Sequence, residues 1–271
     1  MALDANSLVT LANFKTYLGI TVSTDDTILE QAIDRASTAI RSYCDRNFVS
    51  ATYREFYDSF GAKRLALKQS PVEKVIFVGA ATQSVLSVQM TNASDIFASV
   101  GIDAEHLHLT RIDSNGTEHT TNIALASNNT TNELASQISS TTGFSASSLV
   151  NIPSYHLQRL AGAELMNRTV LVEGFVEGIY DYLMNADAGI LYGTWISQYQ
   201  SVLVRYTAGY STIPYDVQQA TMMIASRIYK GRFRDPGLGS ESLGGYSYSQ
   251  RNAADIDSEA KEMLRPYRRI R

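Results

Sequence analysis

Residues 202–210 read Val202-Leu203-Val204-Arg205-Tyr206-Thr207-Ala208-Gly209-Tyr210. The β-branched and aromatic residues favour a strand through Thr207. Ala208-Gly209-Tyr210 ends that strand in a turn. Pro214 then pre-sets the backbone for a helix, on which Val217, Ala220, Ile224 and Ile228 share one face. Arg227, Lys230, Arg232 and Arg234 crowd the C-terminal end of this helix, where the dipole favours cations. A strand, a tight turn and a helix therefore follow one another within thirty residues.

Working back to the start of the chain, Leu11, Phe14, Tyr17 and Leu18 recur at helical spacing and Gly19 provides a stop. The Ser23-Thr24-Asp25-Asp26 cluster offers an N-cap and acidic groups to a second helix. That helix carries Ile28, Leu29, Ala32, Ile33, Ala36, Ile40 and Tyr43 as one stripe. Tyr53 to Tyr57 is extended in character, Gly61 marks a turn, Arg64-Leu65-Ala66-Leu67 returns, and Val72 to Val78 forms a further strand after Ser70-Pro71.

Residues 79–178 have a different texture, poor in Lys and rich in Ser, Thr and Asn. Val85 to Met90 reads as a strand. Glu105 to Ile112 and Glu118 to Leu125 flank Asp113-Ser114-Asn115-Gly116, a hairpin signal because Asn-Gly accepts positive φ. Asn132 caps a short helix bearing Leu134, Ala135 and Ile138, with Gly143 after it, and Phe144 to Val150 and Val170 to Val172 return as strands. This is a small α+β unit set into the chain. After it, Ile190-Leu191-Tyr192 and Gln200 to Thr207 resume the β pattern. Asp235 to Gln250 is rich in Gly, Ser and Tyr and unsuited to a helix, whereas Asp255 to Arg265 forms a last one.

The chain has 271 residues, 44% hydrophobic and 18% charged, which suits a folded protein of one large or two modest domains. Sixteen Tyr point to surfaces that pack on one side and hydrogen-bond on the other. One cysteine, Cys44, rules out an internal disulfide framework and a cysteine-based zinc site. No leader or long apolar run is visible, so a soluble protein kept inside the cell is expected. Residues 1–226 hold 13 Lys+Arg and 21 Asp+Glu, a net of −8, whereas residues 227–271 hold 10 and 6, a net of +4. An acidic body argues against general DNA binding, and a basic end fits docking on an acidic partner.

Candidate chemistry is sparse. His106 and His108 share a strand face, with His119 the sole further ligand candidate; an exposed polar face is the plainer reading. Gly237-Leu238-Gly239 and Gly244-Gly245 lack the flanking elements of a phosphate loop. No Ser/His/Asp order is present, and no catalytic, cofactor-binding or metal residue is assigned.

The helical pair Leu8 to Arg46, the strand Tyr53 to Tyr57, Arg64-Leu65-Ala66-Leu67, Ser70-Pro71-Val72-Glu73-Lys74-Val75, residues 202–210 with Pro214, and Gly239-Ser240-Glu241-Ser242-Leu243-Gly244-Gly245-Tyr246-Ser247-Tyr248-Ser249 form a recognisable order. It resembles the head-tail connector (adaptor, or head-completion) proteins of tailed bacteriophages over residues 8–78 and 190–250. The family core is compact, and this chain departs from it by its insert, whose role the resemblance does not supply.

The resemblance implies an α+β fold: a helical connector core of about four helices with a small antiparallel β-region, plus an inserted small α+β domain. Residues 1–78 and 179–271 would form the core with its C-terminal docking tail, and 79–178 the insert. It also implies a structural virion protein, not an enzyme, made in the bacterial host cytoplasm and sited in the neck. Twelve copies would form a ring under the portal protein, meet the next neck or tail-completion protein, and pass packaged DNA without specific binding; no membrane or cofactor is involved. The expected portal-docking residues are Leu243, Tyr246, Tyr248, Arg251, Met263, Leu264, Arg265, Tyr267, Arg268, Arg269 and Arg271. Deleting 235–271 should then leave a folded monomer. The competing reading is a carbohydrate- or host-surface-binding module carried by the insert, and a third is a metal-dependent hydrolase using His106 and His108.

Overall fold

The computed structural model describes residues 3–195, 198–232, 240–243, 246–249, 256 and 258–269. The helices are α1 (Leu11–Leu18), α2 (Asp26–Cys44), α3 (Thr131–Ser140), α4 (Tyr215–Gly231) and α5 (Ser258–Leu264). The first seven strands are β1 (Ala51–Ser59), β2 (Arg64–Ala66), β3 (Val72–Met90), β4 (Phe97–Ile102), β5 (His106–Ile112), β6 (Glu118–Ala124) and β7 (Phe144–Ser148). The rest are β8 (Leu160–Glu164), β9 (Val170–Gly178), β10 (Leu183–Asn185), β11 (Ile190–Tyr192), β12 (Gln198–Ala208), β13 (Ser240–Leu243) and β14 (Tyr246–Ser249).

The expected helical core with a small β-region is corrected by these elements: the protein is mostly antiparallel sheet, 38% strand against 29% helix. One five-stranded sheet runs β1-β12-β3-β7 with β9 also on β3, and a four-stranded sheet runs β6-β5-β4-β8. A small sheet, β10-β11-β2, and the β13-β14 hairpin complete the set. The physical reason lies in β3. Val72 to Val78 and Val85 to Met90 are one continuous strand, bridged by Gly79, Thr82, Gln83 and Ser84, whose small or polar side chains hide the period-two pattern. Register shifts at Gly79/Ala81, Ala81/Thr82 and Ser84/Leu86 break the alternation further.

β3 changes partner along its length. Residues 72–79 pair with β12, and residues 79–88 pair with β9, so Gly79 lies opposite both Leu203 and Gly178. A side chain at Gly79 would meet the Phe77 ring at 2.7 Å and Phe175 Cβ at 2.9 Å, so only glycine lets the strand pass between them.

Three main apolar clusters follow. α1, α2, α4 and α5 bury Phe14, Leu29, Ile33, Ile40, Val217, Ile224, Ala260 and Leu264 together. Each fully buried large side chain there contributes about 1.5–3 kcal/mol relative to exposure. β3's first half with β1, β2, β11 and β12 encloses Tyr57, Leu65, Leu191, Val204 and Tyr206. The second half of β3, β4, β5 and α3 enclose Val88, Val100, Leu107, Leu109, Leu134 and Ile138.

Local chemistry explains the helix ends. Thr10 accepts a hydrogen bond from Asn13 N and Gly19 takes φ 71, bounding α1. Asp25 precedes α2 without capping it through its side chain. Its carboxylate instead accepts from the Tyr229 hydroxyl at 2.5 Å and Arg232 Nη2 at 2.6 Å, tying α2 to α4. Thr130, rather than Asn132, caps α3 by accepting from Glu133 N, and the Glu133 carboxylate accepts from Asn129 N, just before the cap.

Candidate functional site

The expected docking residues fall into three groups. Leu243, Tyr246 and Tyr248 lie on the β13–β14 hairpin, where Leu243 pairs with Tyr246. Arg251 and Arg271 lie outside the described residues. The remainder belong to α5 and the turn after it, and these fold back on the chain itself. Leu264 is fully buried in the helical core, and Met263 and Tyr267 pack against it. Arg265 and Arg268 are exposed.

Tyr267 completes an aromatic cage around Arg46, whose guanidinium lies 5.1 Å from the Phe48 ring, 5.6 Å from Tyr210 and 5.9 Å from Tyr267. Arg46 also donates to Tyr210 Oη at 2.9 Å and Ser70 Oγ at 3.2 Å. Arg269 N donates to the Cys44 carbonyl at 3.0 Å, pinning the end of the chain to the end of α2. Cys44 is internal here, and burial pushes its thiol up to about 11, so it is no nucleophile at neutral pH.

A second constellation, which the sequence did not suggest, joins β1 to the turns at residues 103–104 and 155–157. Arg54 on β1 donates from all three guanidinium nitrogens to main-chain carbonyls: Nε to Tyr155 O at 2.5 Å, Nη1 to Ala104 O at 2.9 Å and Asp103 O at 3.1 Å, and Nη2 to Leu157 O at 2.5 Å. Its guanidinium is drawn down to about 10, first by burial and then by the nearby charge of Arg159. Arg205 is its cross-strand partner on β12 and stacks 3.8 Å from the Tyr155 ring. Arg159 lies 5.3 Å from the Phe56 ring. These side chains, with Tyr53, Lys68 and His106, line a cleft of about 620 Å³. The signal in the sequence is an arginine in the middle of each of two apolar strands. Beneath them Glu55 accepts from the Tyr57 hydroxyl and from Tyr206 Oη at 2.6 Å. Burial raises both tyrosines above their ordinary range.

His156 lies in the same junction, its ring 3.7 Å from Phe77 and stacked on it. Burial lowers it to about 4, helped by the charges of Arg205 and Arg54 and opposed by a backbone hydrogen bond with Phe175. As pH falls from 6.5 towards 4, the unfolded chain takes up a proton that folded His156 refuses. Its contribution is therefore complete above about pH 6.5 and is lost below it, on the order of 3 kcal/mol in all. His156→Phe is expected to flatten this part of the acid dependence in urea melts at pH 7 and 4.5. A variant losing stability as steeply as the wild type would refute the assignment.

The other histidines are engaged. His108 uses both ring nitrogens, Nδ1 with Asn122 Oδ1 and Nε2 with Asp103 Oδ2, each at 2.8 Å. These two bonds hold it above its ordinary range. His119 contacts Asp113 Oδ2 at 3.1 Å, and His106 lies 6.0 Å from His108 ring to ring. Among the described residues no group of three or more His, Cys, Asp or Glu is placed to hold a metal ion. The aromatics of residues 79–178 are mostly taken up in packing: Phe144 and Phe175 are buried and Tyr155 lies under Arg205.

A third feature is the stretch after β9. Tyr180 is 83% exposed, Leu183 76% and Met184 42%, with Asp181 and Asp187 exposed beside them. β10 pairs on one side with β11 and is an edge strand. No described helix is long and apolar enough to cross a membrane.

The family described as phage gp6-like head-tail connector protein matches residues 8–157, and the family described as head completion protein matches residues 118–270. No protein of curated function matches. Among solved structures, a chain of "Virion of native gene transfer agent (GTA) particle" is 15% identical with a TM-score of 0.38, covering 100% of this chain and 94% of that one. A chain of "Neck of empty GTA particle computed with C6 symmetry" is 14% identical with a TM-score of 0.39, at the same coverage. Scores of this size do not establish a shared fold.

Proposed function

Because the chain belongs to the phage head-tail connector and head-completion family, a family of structural components of the virion neck, we propose that it forms a ring beneath the portal protein, joins the head to the tail and extends the DNA channel. The observation that carries this reading is the pair of neck-protein family matches, which together run from residue 8 to residue 270. Twelve copies would match the portal, and a head-to-tail contact closes such a ring when the rotation per copy divides a full turn. The acidic body suits a channel through which DNA slides without being held. The core, residues 1–78 and 179–271, would meet the portal and the next neck or tail-completion protein, with residues 79–178 as an inserted unit.

Portal docking is proposed for the exposed Arg265 and Arg268 and for the hairpin bearing Leu243, Tyr246 and Tyr248. Deleting 235–271 is not a clean test, because it also strips Ala260, Leu264 and Tyr267 from the helical core. The better experiment removes the gene and supplies it in trans. Without the protein, DNA-filled heads without tails should accumulate, and the wild-type gene should restore tailed particles. Arg265→Glu with Arg268→Glu should restore on the order of tenfold fewer, since reversing charges at an interface costs one to several kcal/mol. Tailed particles formed normally without the gene would overturn the reading.

A further inference from the structure

Arg54 and Arg205 stand directly opposite each other on β1 and β12. Like charges in that position are destabilising, so the pair needs compensation. Arg54 finds it in four carbonyl oxygens. Arg205 does not: its guanidinium lies over Tyr155, and no described residue accepts a hydrogen bond from it. Arg159 is in the same state over Phe56, and Lys68 extends the cleft outward. Of the cleft's two acids, Glu55 is held by the hydroxyls of Tyr57 and Tyr206, leaving Glu105. The cleft is thus cationic within an acidic body, with two guanidinium forks of the shape that takes carboxylates.

The same chain carries a surface of opposite character. Asp181 and Asp187 flank the exposed Leu183 and Met184, and neither acid pairs with a described cation. Clustered apolar exposure of this kind marks a contact surface, and so does an uncovered edge strand. A head-to-tail ring needs two different, complementary surfaces on every copy. Resting on the ring reading above, we propose that the Arg159–Arg205 cleft of one copy receives the acidic, apolar segment 180–187 of the next. Aspartates would meet the guanidinium groups while Tyr180 and Leu183 cover the Tyr53 and Tyr155 side of the cleft. Duplex DNA fits the cleft less well, because residues 1–226 carry a net of −8 and repel a polyanion at long range.

Charge exchange tests this in the trans-complementation assay. Arg159→Glu with Arg205→Glu, and separately Asp181→Lys with Asp187→Lys, should each lower tailed-particle yield on the order of 100-fold. The four substitutions in one chain should restore it to within about tenfold of wild type, as should co-expression of the two double variants, which can alternate around a ring. Thermal melting of each purified variant checks folding. Should Arg205→Glu melt early, Arg159→Glu alone, at an exposed side chain, carries the same test. Losses that the four-fold variant does not rescue would mean that the cleft serves another partner, and unchanged yields would mean that it serves none; either overturns the proposal. Binding of a 20-base-pair duplex by the wild type that the Arg159/Arg205 variant loses would assign the cleft to DNA instead. A wild-type gene that restores nothing would sink the ring reading itself, a distinct outcome.

Discussion

Arg54→Leu is expected to destabilise the protein by about 3 kcal/mol and to free the 103–104 and 155–157 turns from β1. Four carbonyl groups of residues 103, 104, 155 and 157 lose their donor at once. Each part-buried acceptor left without a partner costs about 1–3 kcal/mol. Two effects hold the total below that sum. Water reaches some of the released carbonyls, and the repulsion of Arg54 by Arg159 and Arg205 disappears. Arg54→Lys should lose nearly as much, because one ammonium cannot span acceptors on both the 103–104 and 155–157 turns. Urea melts measure the total, and hydrogen exchange locates it. Protection should fall first at the junction, with the helical core of Leu29, Ile33 and Ile40 unchanged. An Arg54→Leu protein that melts with the wild type would dispose of the latch.

The second large effect belongs to Gly209. Its φ is 118, a region closed to residues with a side chain. An added Cβ would sit 2.6 Å from the Val49 carbonyl oxygen and 2.8 Å from Ser50 Cα. Neither backbone atom can retreat. Tyr210 N donates to Phe48 O at 2.7 Å, Ser50 N donates to Tyr210 O at 3.2 Å, and Gly209 N donates to Pro71 O at 2.9 Å. Gly209→Ala therefore combines strain with a lost crossing of three segments and should cost more than about 4 kcal/mol, enough to leave little soluble protein. Gly61→Ala is the control. It also has positive φ, but an added Cβ meets nothing within 4 Å, so its cost should be near 1 kcal/mol. Equal soluble yields and melting temperatures for the two variants would refute the crossing argument.

The helices were legible because their signals are local. Thr10 and Gly19 bracket α1, and the α2 stripe from Leu29 to Ile40 is the face that is buried. The Asn115-Gly116 turn and its flanking strands follow from the same kind of short-range chemistry, with Gly116 at φ 81. The extent of the sheet was not legible, because β3 changes partners at Gly79 and passes through Thr82-Gln83-Ser84, where both faces are partly polar. The tail misled for a related reason. A helix seven residues long beside basic residues reads as free, yet Leu264 is the side chain that closes the helical core. The junction arginines were invisible as a group: Arg54, Arg159 and Arg205 come from three strands or turns, and only tertiary structure brings them to one cleft.

The helical core, finally, is assembled from the two ends of the described chain. Leu8, Phe14 and Leu29 meet Val217, Ile224 and Leu264, which lie far along the chain from them. The cluster around Val100, Leu107 and Leu134, by contrast, has all its buried residues between Val85 and Val172. During synthesis the Val85–Val172 cluster can thus condense while the ribosome is still extending the chain, whereas α1 and α2 must wait with an apolar stripe uncovered. A copy whose translation stops before α4 leaves that stripe without its partner.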